Sequence, residues 1–285
     1  MRDRLPVRGT QAGTQTGAIC GLSELGFSMT HTWPTWRAVR VWQRNLDVFR
    51  KYSLPSLVGP SIGEPLLYLL GLGFGLGTLV GTVGGQRYVE FVAPGMVMSS
   101  AMFAAAYECT YGAYVRMIHQ KTYEAIITTP LSLEDVVAGD ILWGASKGMF
   151  NGTMMLLVVA LFGLAPSPWT IVVPVVVALV ALLFAGVSLV VAALARSFEF
   201  FNYYLTLIVT PMFLFCGVFF PLESLPHWAQ DMAWFLPLTY AVRATRALMR
   251  GQPSLLALLP LLGLIPGIAL SSLLAARLVR RRLIH

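Results

Sequence analysis

Four ionisable side chains lie in or near long apolar segments of this chain, and they are the residues most able to do chemistry there: Glu64, Glu108, Asp140 and Lys147. Charged groups are costly in hydrocarbon, so those found there often mark a transport pathway or pair with one another. On this basis Glu64 and Lys147 are candidates for a transport pathway. Two alternatives stay open, because Glu64 could lie at a membrane interface and Asp140 could serve only as a helix cap.

A serine motif suggests a different chemistry. Gly144-Ala-Ser-Lys-Gly148 matches the GxSxG turn that presents the nucleophile of many hydrolases. That motif works between a strand and a helix, with an acid and a histidine later in the chain. Here it lies inside an apolar stretch, and only His227 and His285 follow it. An intramembrane enzyme that uses Ser146 as its nucleophile is therefore the function that this sequence supports least.

The sequence predicts no cofactor bound by this chain. No phosphate-binding GxxxxGK motif followed by Ser or Thr surrounds its three lysines, Lys51, Lys121 and Lys147. The three cysteines are far apart and lack CxxC spacing or neighbouring histidines, which argues against a metal site. If ATP drives this protein, another polypeptide must bind it.

Aromatic residues are followed by basic residues within 227–250. Trp228, Trp234 and Tyr240 precede Arg243, which begins a series of three arginines on one helical face. Aromatic faces can stack on sugar rings, and arginines can hold anionic groups. These residues are therefore candidates for a pathway or an outer mouth, and the alternative is an aromatic and basic belt at the membrane interface.

The composition indicates an all-α polytopic membrane protein. Hydrophobic residues make up 56% of the chain and charged residues only 12%, whereas a soluble domain carries about 25% charged residues. Six stretches are apolar and reach the ~20 residues that a helical span needs. They lie near 57–80, 91–114, 139–163, 169–195, 201–222 and 254–276.

Basic residues predict the orientation of these spans. With both termini inside, the inner segments hold fifteen Lys and Arg residues and the outer segments hold four. Cytoplasmic loops carry the excess of basic residues. We therefore predict that both termini are cytoplasmic.

The N-terminal part divides into a tail and a helix. Residues 1–32 are rich in Gly, Thr and Gln without periodicity, which predicts a disordered cytoplasmic tail before a membrane domain at 33–285. Within 33–52, Trp36, Trp42 and Phe49 share one face while basic residues repeat on another. Such a basic amphipathic helix is typical of the membrane interface.

The longest inner loop, 116–135, predicts a short helix, a break at Pro130 and a second helix capped by Ser132 and Asp135. A compact, ordered loop on the cytoplasmic face suits a docking surface. A plain solvated connector is the alternative.

Several segments resemble the type-2 ABC exporter permeases. The resemblance lies in the Phe-Gly-Leu-Gly run of the first predicted span, in 95–108, in 116–135 and in 217–251, and it covers roughly residues 35–275. Within that family the segments are most similar to the permeases that export lipo-chitooligosaccharides in nodulation.

This resemblance implies a partner and an assembly. Lys121, Thr122, Tyr123 and Glu124 would form a coupling helix that docks on an ABC ATPase, and that ATPase would hold ATP and Mg. Two copies of this chain would join two ATPases in the bacterial inner membrane. Residues 33–52 would form the cytoplasmic interface helix, and 223–250 would form short re-entrant helices at the outer mouth.

The resemblance also implies the substrate, a lipo-chitooligosaccharide or a similar glycolipid. A hydrophobic drug or a lipid-linked polysaccharide would meet the same requirements. An ion-coupled secondary transporter is the alternative from another class, and it would need a coupling-ion site among Glu64, Glu108 and Lys147.

Overall fold

The computed structural model describes residues 35–52, 67–83, 85–127, 129, 131–253 and 255–284. The predicted tail at 1–32, the beginning of the predicted first span and the candidate residue Glu64 lie outside the described residues.

The described chain is mostly helical. In chain order the helices are α1 (Ala38–Tyr52), α2 (Leu69–Leu76, continued by Gly77–Val80), α3 (Tyr88–His119), α4 (Thr122–Ile127), α5 (Leu133–Leu161), α6 (Pro168–Leu194), α7 (Glu199–Phe215), α8 (His227–Phe235), α9 (Pro237–Met249) and α10 (Leu255–Leu283). Two short antiparallel strands, β1 (Thr82–Val83) and β2 (Gln86–Arg87), form a hairpin between α2 and α3.

Four of the described helices, α3, α5, α6 and α10, are long and apolar enough to cross a membrane. They correspond to the second, third, fourth and sixth predicted spans. The predicted fifth span, 201–222, is a shorter apolar helix, because α7 ends at Phe215 and Gly217 follows with a φ of 82°. Four of the six predicted spans are thus confirmed as helices that could cross a membrane, whereas the count of six is not. The helix α2 is the described remainder of the predicted first span.

The beginning of α5 differs from the predicted start at residue 139. The Ser132 hydroxyl accepts a hydrogen bond from the backbone N–H of Asp135, and the Asp135 carboxylate accepts one from the Ser132 N–H. This reciprocal capping box confirms the predicted cap and begins the helix at Leu133.

Three long helices, α3, α5 and α6, pack closely because α5 carries glycines at four-residue spacing. A Cβ atom on Gly148 would lie 2.8 Å from the Ala181 Cβ on α6 and 2.8 Å from the Ala101 carbonyl on α3. Gly144 and Gly152 meet the same two helices. Small residues at this spacing let membrane helices approach, so the glycines that match GxSxG serve packing.

Both described ends of the chain lie at one end of the molecule, which we call the terminal end. There α1 packs on α5, where a Cβ on Gly139 would lie 2.5 Å from the Val41 Cβ. The last turns of α10 lie there too, because Arg282 donates to the Ala192 carbonyl near the end of α6, at 2.9 Å. The opposite end, which we call the hairpin end, contains β1, β2, the α5–α6 loop and the end of α9.

Candidate functional site

A group of four charged side chains, one buried and three partly buried, lies between α3 and α5 toward the terminal end. We call Glu108, Arg116, Asp140 and Lys147 the charge cluster. Arg116 joins both carboxylates, with its Nη1 2.7 Å from Glu108 Oε1 and its Nε 3.2 Å from Asp140 Oδ2. Lys147 Nζ lies 2.5 Å from Glu108 Oε2. Two positive and two negative groups therefore balance inside an apolar region, where an unpaired charge would be costly.

Neutral donors complete the bonding of both carboxylates. The Trp143 indole donates to Glu108 Oε1 at 2.9 Å. Asn45 Nδ2 donates to Asp140 Oδ1 at 2.6 Å, and the Tyr123 hydroxyl donates to Asp140 Oδ2 at 2.6 Å. The cluster thus joins α1, α3, α4 and α5. Asp140, which lies on α5, receives hydrogen bonds from each of the other three helices.

The local helix geometry explains why these side chains meet. Asp140, Trp143 and Lys147 share one face of α5, at spacings of three and four residues. On α3 the backbone widens into a π-helix over Glu108–Gly112. A Cβ on Gly112 would lie 2.6 Å from Glu108 Oε1, so the glycine leaves room for that carboxylate.

The structure decides between the alternatives for these residues. Glu108 and Lys147 form an internal ion pair, which is one of the two roles predicted for intramembrane charges. The helix-cap interpretation of Asp140 is wrong, because Ser132 and Asp135 cap α5 and Asp140 lies in its interior. Arg116 was not recognised from the sequence as a partner of these carboxylates, because it is 24 residues from Asp140.

The predicted coupling residues divide into an outward and an inward pair. Lys121, with a φ of 50°, and Glu124 are exposed, whereas Thr122 and Tyr123 are buried. Burial, reinforced by the negative charge of Asp140, raises the pKa of Tyr123 well above its ordinary value. Tyr123 therefore keeps its proton and donates to Asp140 across the physiological pH range. This hydrogen bond links α4 directly to the charge cluster.

Ser146 has no hydrolase partners in the described chain. Its hydroxyl accepts from the Trp42 indole at 2.9 Å and donates to the Leu142 carbonyl at 2.8 Å. These bonds join α1 to α5 beside the charge cluster. The serine therefore has a structural role here.

Seven aromatic rings form a continuous series that follows α3 and then α7, which we call the aromatic ladder. Its members, from the terminal end to the hairpin end, are Phe198, Tyr111, Tyr107, Phe103, Phe213, Phe219 and Phe220. Successive ring centroids lie 6.2, 6.2, 6.3, 5.5, 4.9 and 6.3 Å apart.

Part of the ladder is open to a neighbouring molecule. Tyr107 is 50% exposed, Phe198 39% and Phe220 52%. On α3 the rings of Phe103, Tyr107 and Tyr111 recur at four-residue spacing and stack nearly parallel, which offers a row of flat apolar faces. This series was not predicted from the sequence, although the four-residue spacing of Phe103, Tyr107 and Tyr111 can be read there.

Three of the candidate outer-mouth residues lie together, and the fourth, Trp228, lies elsewhere. Trp234, Tyr240 and Arg243 lie together, because the Arg243 guanidinium stands 4.7 Å from the Trp234 ring centroid and the Tyr240 hydroxyl donates to the Trp234 carbonyl. Trp228 instead lies beside Phe215, at 6.3 Å between ring centroids. Lys147 belongs to the charge cluster and not to this group.

Comparison with known proteins gives consistent matches over most of the chain. A family model described as "ABC-2 type transporter" matches residues 40–249. Nodulation protein J of Rhizobium leguminosarum bv. trifolii is 40% identical over 247 residues, which cover 87% of this chain and 94% of that protein. Nodulation protein J of Bradyrhizobium diazoefficiens is 42% identical over 216 residues, covering 75% and 80% of the two chains. The inner membrane transport permease YadH of Escherichia coli is 24% identical over 212 residues, covering 74% and 82%. The region matched by the family model includes the charge cluster and the aromatic ladder.

Proposed function

Because this chain belongs to the ABC-2 type transporter family, we propose that it is the permease subunit of an ATP-driven exporter in the bacterial inner membrane. A separate ATPase of the nodulation I type would bind ATP and Mg and dock on the loop that contains α4. Two copies of this chain would join two such ATPases, with both termini in the cytoplasm. The terminal end would then be the cytoplasmic end, in accordance with the excess of basic residues in the predicted inner segments.

The contacts of α4 support this coupling role. Glu124 is exposed and can meet a partner, while its neighbour Tyr123 is buried and bonded to Asp140. A displacement of α4 by the ATPase would therefore act on Asp140, and through Arg116 on Glu108 of α3. Asn45 would transmit the same displacement to α1.

The proposed substrate is a lipo-chitooligosaccharide or a similar glycolipid. The observation that carries this proposal is the aromatic ladder, in which the stacked rings of Phe103, Tyr107, Tyr111 and Phe198 are partly open and Phe220 is exposed at the other end. Sugar rings stack on such faces, and an acyl chain can lie along the apolar surface beside them. A hydrophobic drug or a lipid-linked polysaccharide meets the same physical requirements and would be the second choice.

An ion-coupled carrier fits the described geometry less well. Glu108 is bonded to Arg116, Trp143 and Lys147, so its carboxylate oxygens have protein partners. A coupling site needs a group that exchanges its ion during transport, whereas this carboxylate is held by two cations.

Transport by membrane vesicles tests the energy source. Vesicles containing this chain and its ATPase should transport the glycolipid when ATP is supplied, and vesicles containing this chain alone should neither hydrolyse ATP nor transport. Transport by the lone chain, driven only by a proton gradient, would contradict the proposal.

A pair of tyrosine variants tests the substrate route. Tyr107→Leu removes a ladder ring that is 50% exposed, whereas Tyr203→Leu removes a tyrosine that is 64% exposed and has no ring partner in the described chain. A ring contact contributes about 0.5–1.5 kcal/mol, so Tyr107→Leu should slow glycolipid transport by roughly two- to tenfold. Tyr203→Leu should leave it near the parent rate. Equal rates for the two variants would exclude the ladder as the route.

A further inference from the structure

A polar cavity opens at the hairpin end, and none of its lining residues belongs to the charge cluster or the aromatic ladder. Its volume is about 320 Å³, and it is lined by the first turns of α3, the α5–α6 loop and the end of α9. Two arginines, Arg246 and Arg250, face it together with Gln86, Glu90 and Gln252. A volume near 300 Å³ is at the small end of the range for ligand pockets, so it suits a head group and not a whole glycolipid.

The position of Arg246 is fixed by the surrounding backbone. Its Nη2 donates to the Phe91 carbonyl at 3.0 Å and to the Gly217 carbonyl at 2.9 Å, and its guanidinium stacks 3.9 Å from the Phe91 ring centroid. Its Nε is buried and has no hydrogen-bond partner among the described residues. A guanidinium held in this way is ready to receive an anion without further ordering.

The two arginines of the cavity form no ion pair with a described side chain. No carboxylate in the described chain lies within ion-pair distance of Arg246 or Arg250. Burial, reinforced by the neighbouring Arg250, lowers the pKa of Arg246 to about 10. The one carboxylate in the lining, Glu90, is bonded to Arg87 at 2.6 Å. An anion in the cavity would therefore relieve an unfavourable concentration of positive charge.

Arg250 supplies the second contact. Its Nη2 donates to Gln86 Oε1 at 2.6 Å, which directs the exposed guanidinium toward the cavity lining. Arginine has five donors in a planar arrangement that matches the oxygens of phosphate. Arg246 and Arg250 line the same cavity and can thus contact one phosphate group.

We propose that this cavity is a binding site for a phosphate group, in which Arg246 and Arg250 hold the phosphate oxygens. The phosphate comes either from a phospholipid head group or from a soluble phosphate compound. No residue of the aromatic ladder lines the site, so the proposal does not depend on the identity of the exported substrate.

Titration with inorganic phosphate tests the site. The full chain, in detergent without phospholipid, should bind inorganic phosphate saturably, and Arg250→Gln should weaken binding by about tenfold or more through loss of a charge-assisted contact. Arg243→Gln is the matched control, because Arg243 is on the same helix but lies over Trp234 outside the cavity. Its phosphate affinity should equal that of the parent. Absence of saturable binding, or equal weakening in both variants, would overturn the proposal.

A second titration separates the two sources of phosphate. In nanodiscs of phosphatidylglycerol, a site that accepts lipid head groups should be filled, so added inorganic phosphate should no longer bind. A site for soluble phosphate compounds should bind inorganic phosphate with the affinity measured in detergent. Either result supports a phosphate site whose affinity depends on Arg250.

Discussion

Asp140 is the residue at which four helices of this protein meet. It lies on α5 and receives bonds from Asn45 of α1, Arg116 of α3 and Tyr123 of α4. A carboxylate buried in this way needs nearly all of these partners, because a charge without hydrogen bonds is costly in an apolar region. Loss of one donor should therefore affect all the helices that share Asp140.

Replacement of Tyr123 by phenylalanine tests this role with the smallest change. Tyr123→Phe keeps the ring and removes the hydroxyl that donates to Asp140. An unmade bond to a buried charge costs about 1–3 kcal/mol, so thermal stability should fall. The same loss during the transport cycle would lower transport per folded molecule by roughly fivefold or more. Both are measured on the purified permease and on vesicles containing its ATPase.

Tyr204→Phe is the matched control. This buried tyrosine shares a hydrogen bond with Ser188, 3.1 Å away on α6 and outside the charge cluster. Its loss should also lower stability, but it should leave transport per folded molecule unchanged. Equal transport by the two variants would show that Tyr123 has only a structural role.

Sequence patterns correctly predicted those hydrogen bonds that join residues close together in the sequence. The capping box of Ser132 and Asp135 spans three residues, so its hydrogen bonds follow from the local sequence. The bonds of Asp140 join residues 95, 24 and 17 positions away, and no local pattern specifies which distant partner a buried carboxylate will meet. This explains why Asp140 was interpreted as a cap and why Asn45 and Arg116 were missed.

At the scale of single elements, α4 is the short helix with the most specific predicted role. It begins at Thr122 after Lys121, whose positive φ of 50° produces a sharp turn. One side of α4 is buried through Tyr123 and the other is exposed at Glu124. A helix held on one side and free on the other can transmit a force from a partner protein to the spans.

Charge reversal at Glu124 tests the docking role of α4. Glu124→Lys should reduce association with the ATPase and glycolipid transport, while membrane insertion stays intact, because the side chain is exposed and no described contact of the fold is lost. Glu199→Lys is the matched control, since Glu199 is an exposed acid in the first turn of α7. If Glu124→Lys and Glu199→Lys behave alike in both assays, coupling does not depend on Glu124.

The hairpin-end helices show what the sequence could predict at this scale. Proline-interrupted segments indicated short helices between residues 223 and 250, and α8 and α9 are separated by Leu236, with Pro237 as the first residue of α9. The three arginines of this segment, two on α9 and Arg250 just after its last residue, were expected to share one face. In the structure they have three different environments: Arg243 lies over Trp234, Arg246 over Phe91 and Arg250 beside Gln86. The spacing of residues along a helix predicts the direction in which each side chain leaves the helix axis. The partner that the side chain contacts depends on the elements packed around the helix.

At the scale of the whole molecule, the predicted orientation in the membrane decides whether the terminal end is the cytoplasmic end. Reporter fusions after Lys121 and after His285 should show cytoplasmic activity, and fusions after Ser167 and Pro253 should show extracytoplasmic activity. The physical reason is the excess of basic residues in the predicted inner segments. An extracytoplasmic signal at Lys121 would contradict both the orientation and the docking of an ATPase on α4.

The central claim, export of a lipo-chitooligosaccharide by an ATP-driven exporter that contains this chain, is tested most directly by mass spectrometry of the culture medium. The comparison needs a strain that makes the compound, has no second exporter for it, and either keeps or lacks the gene for this chain. We predict that the deletion strain retains the glycolipid in its cells, and that the gene restores secretion while the Tyr107→Leu form restores it only partly. Unchanged secretion in the deletion strain would contradict the substrate assignment.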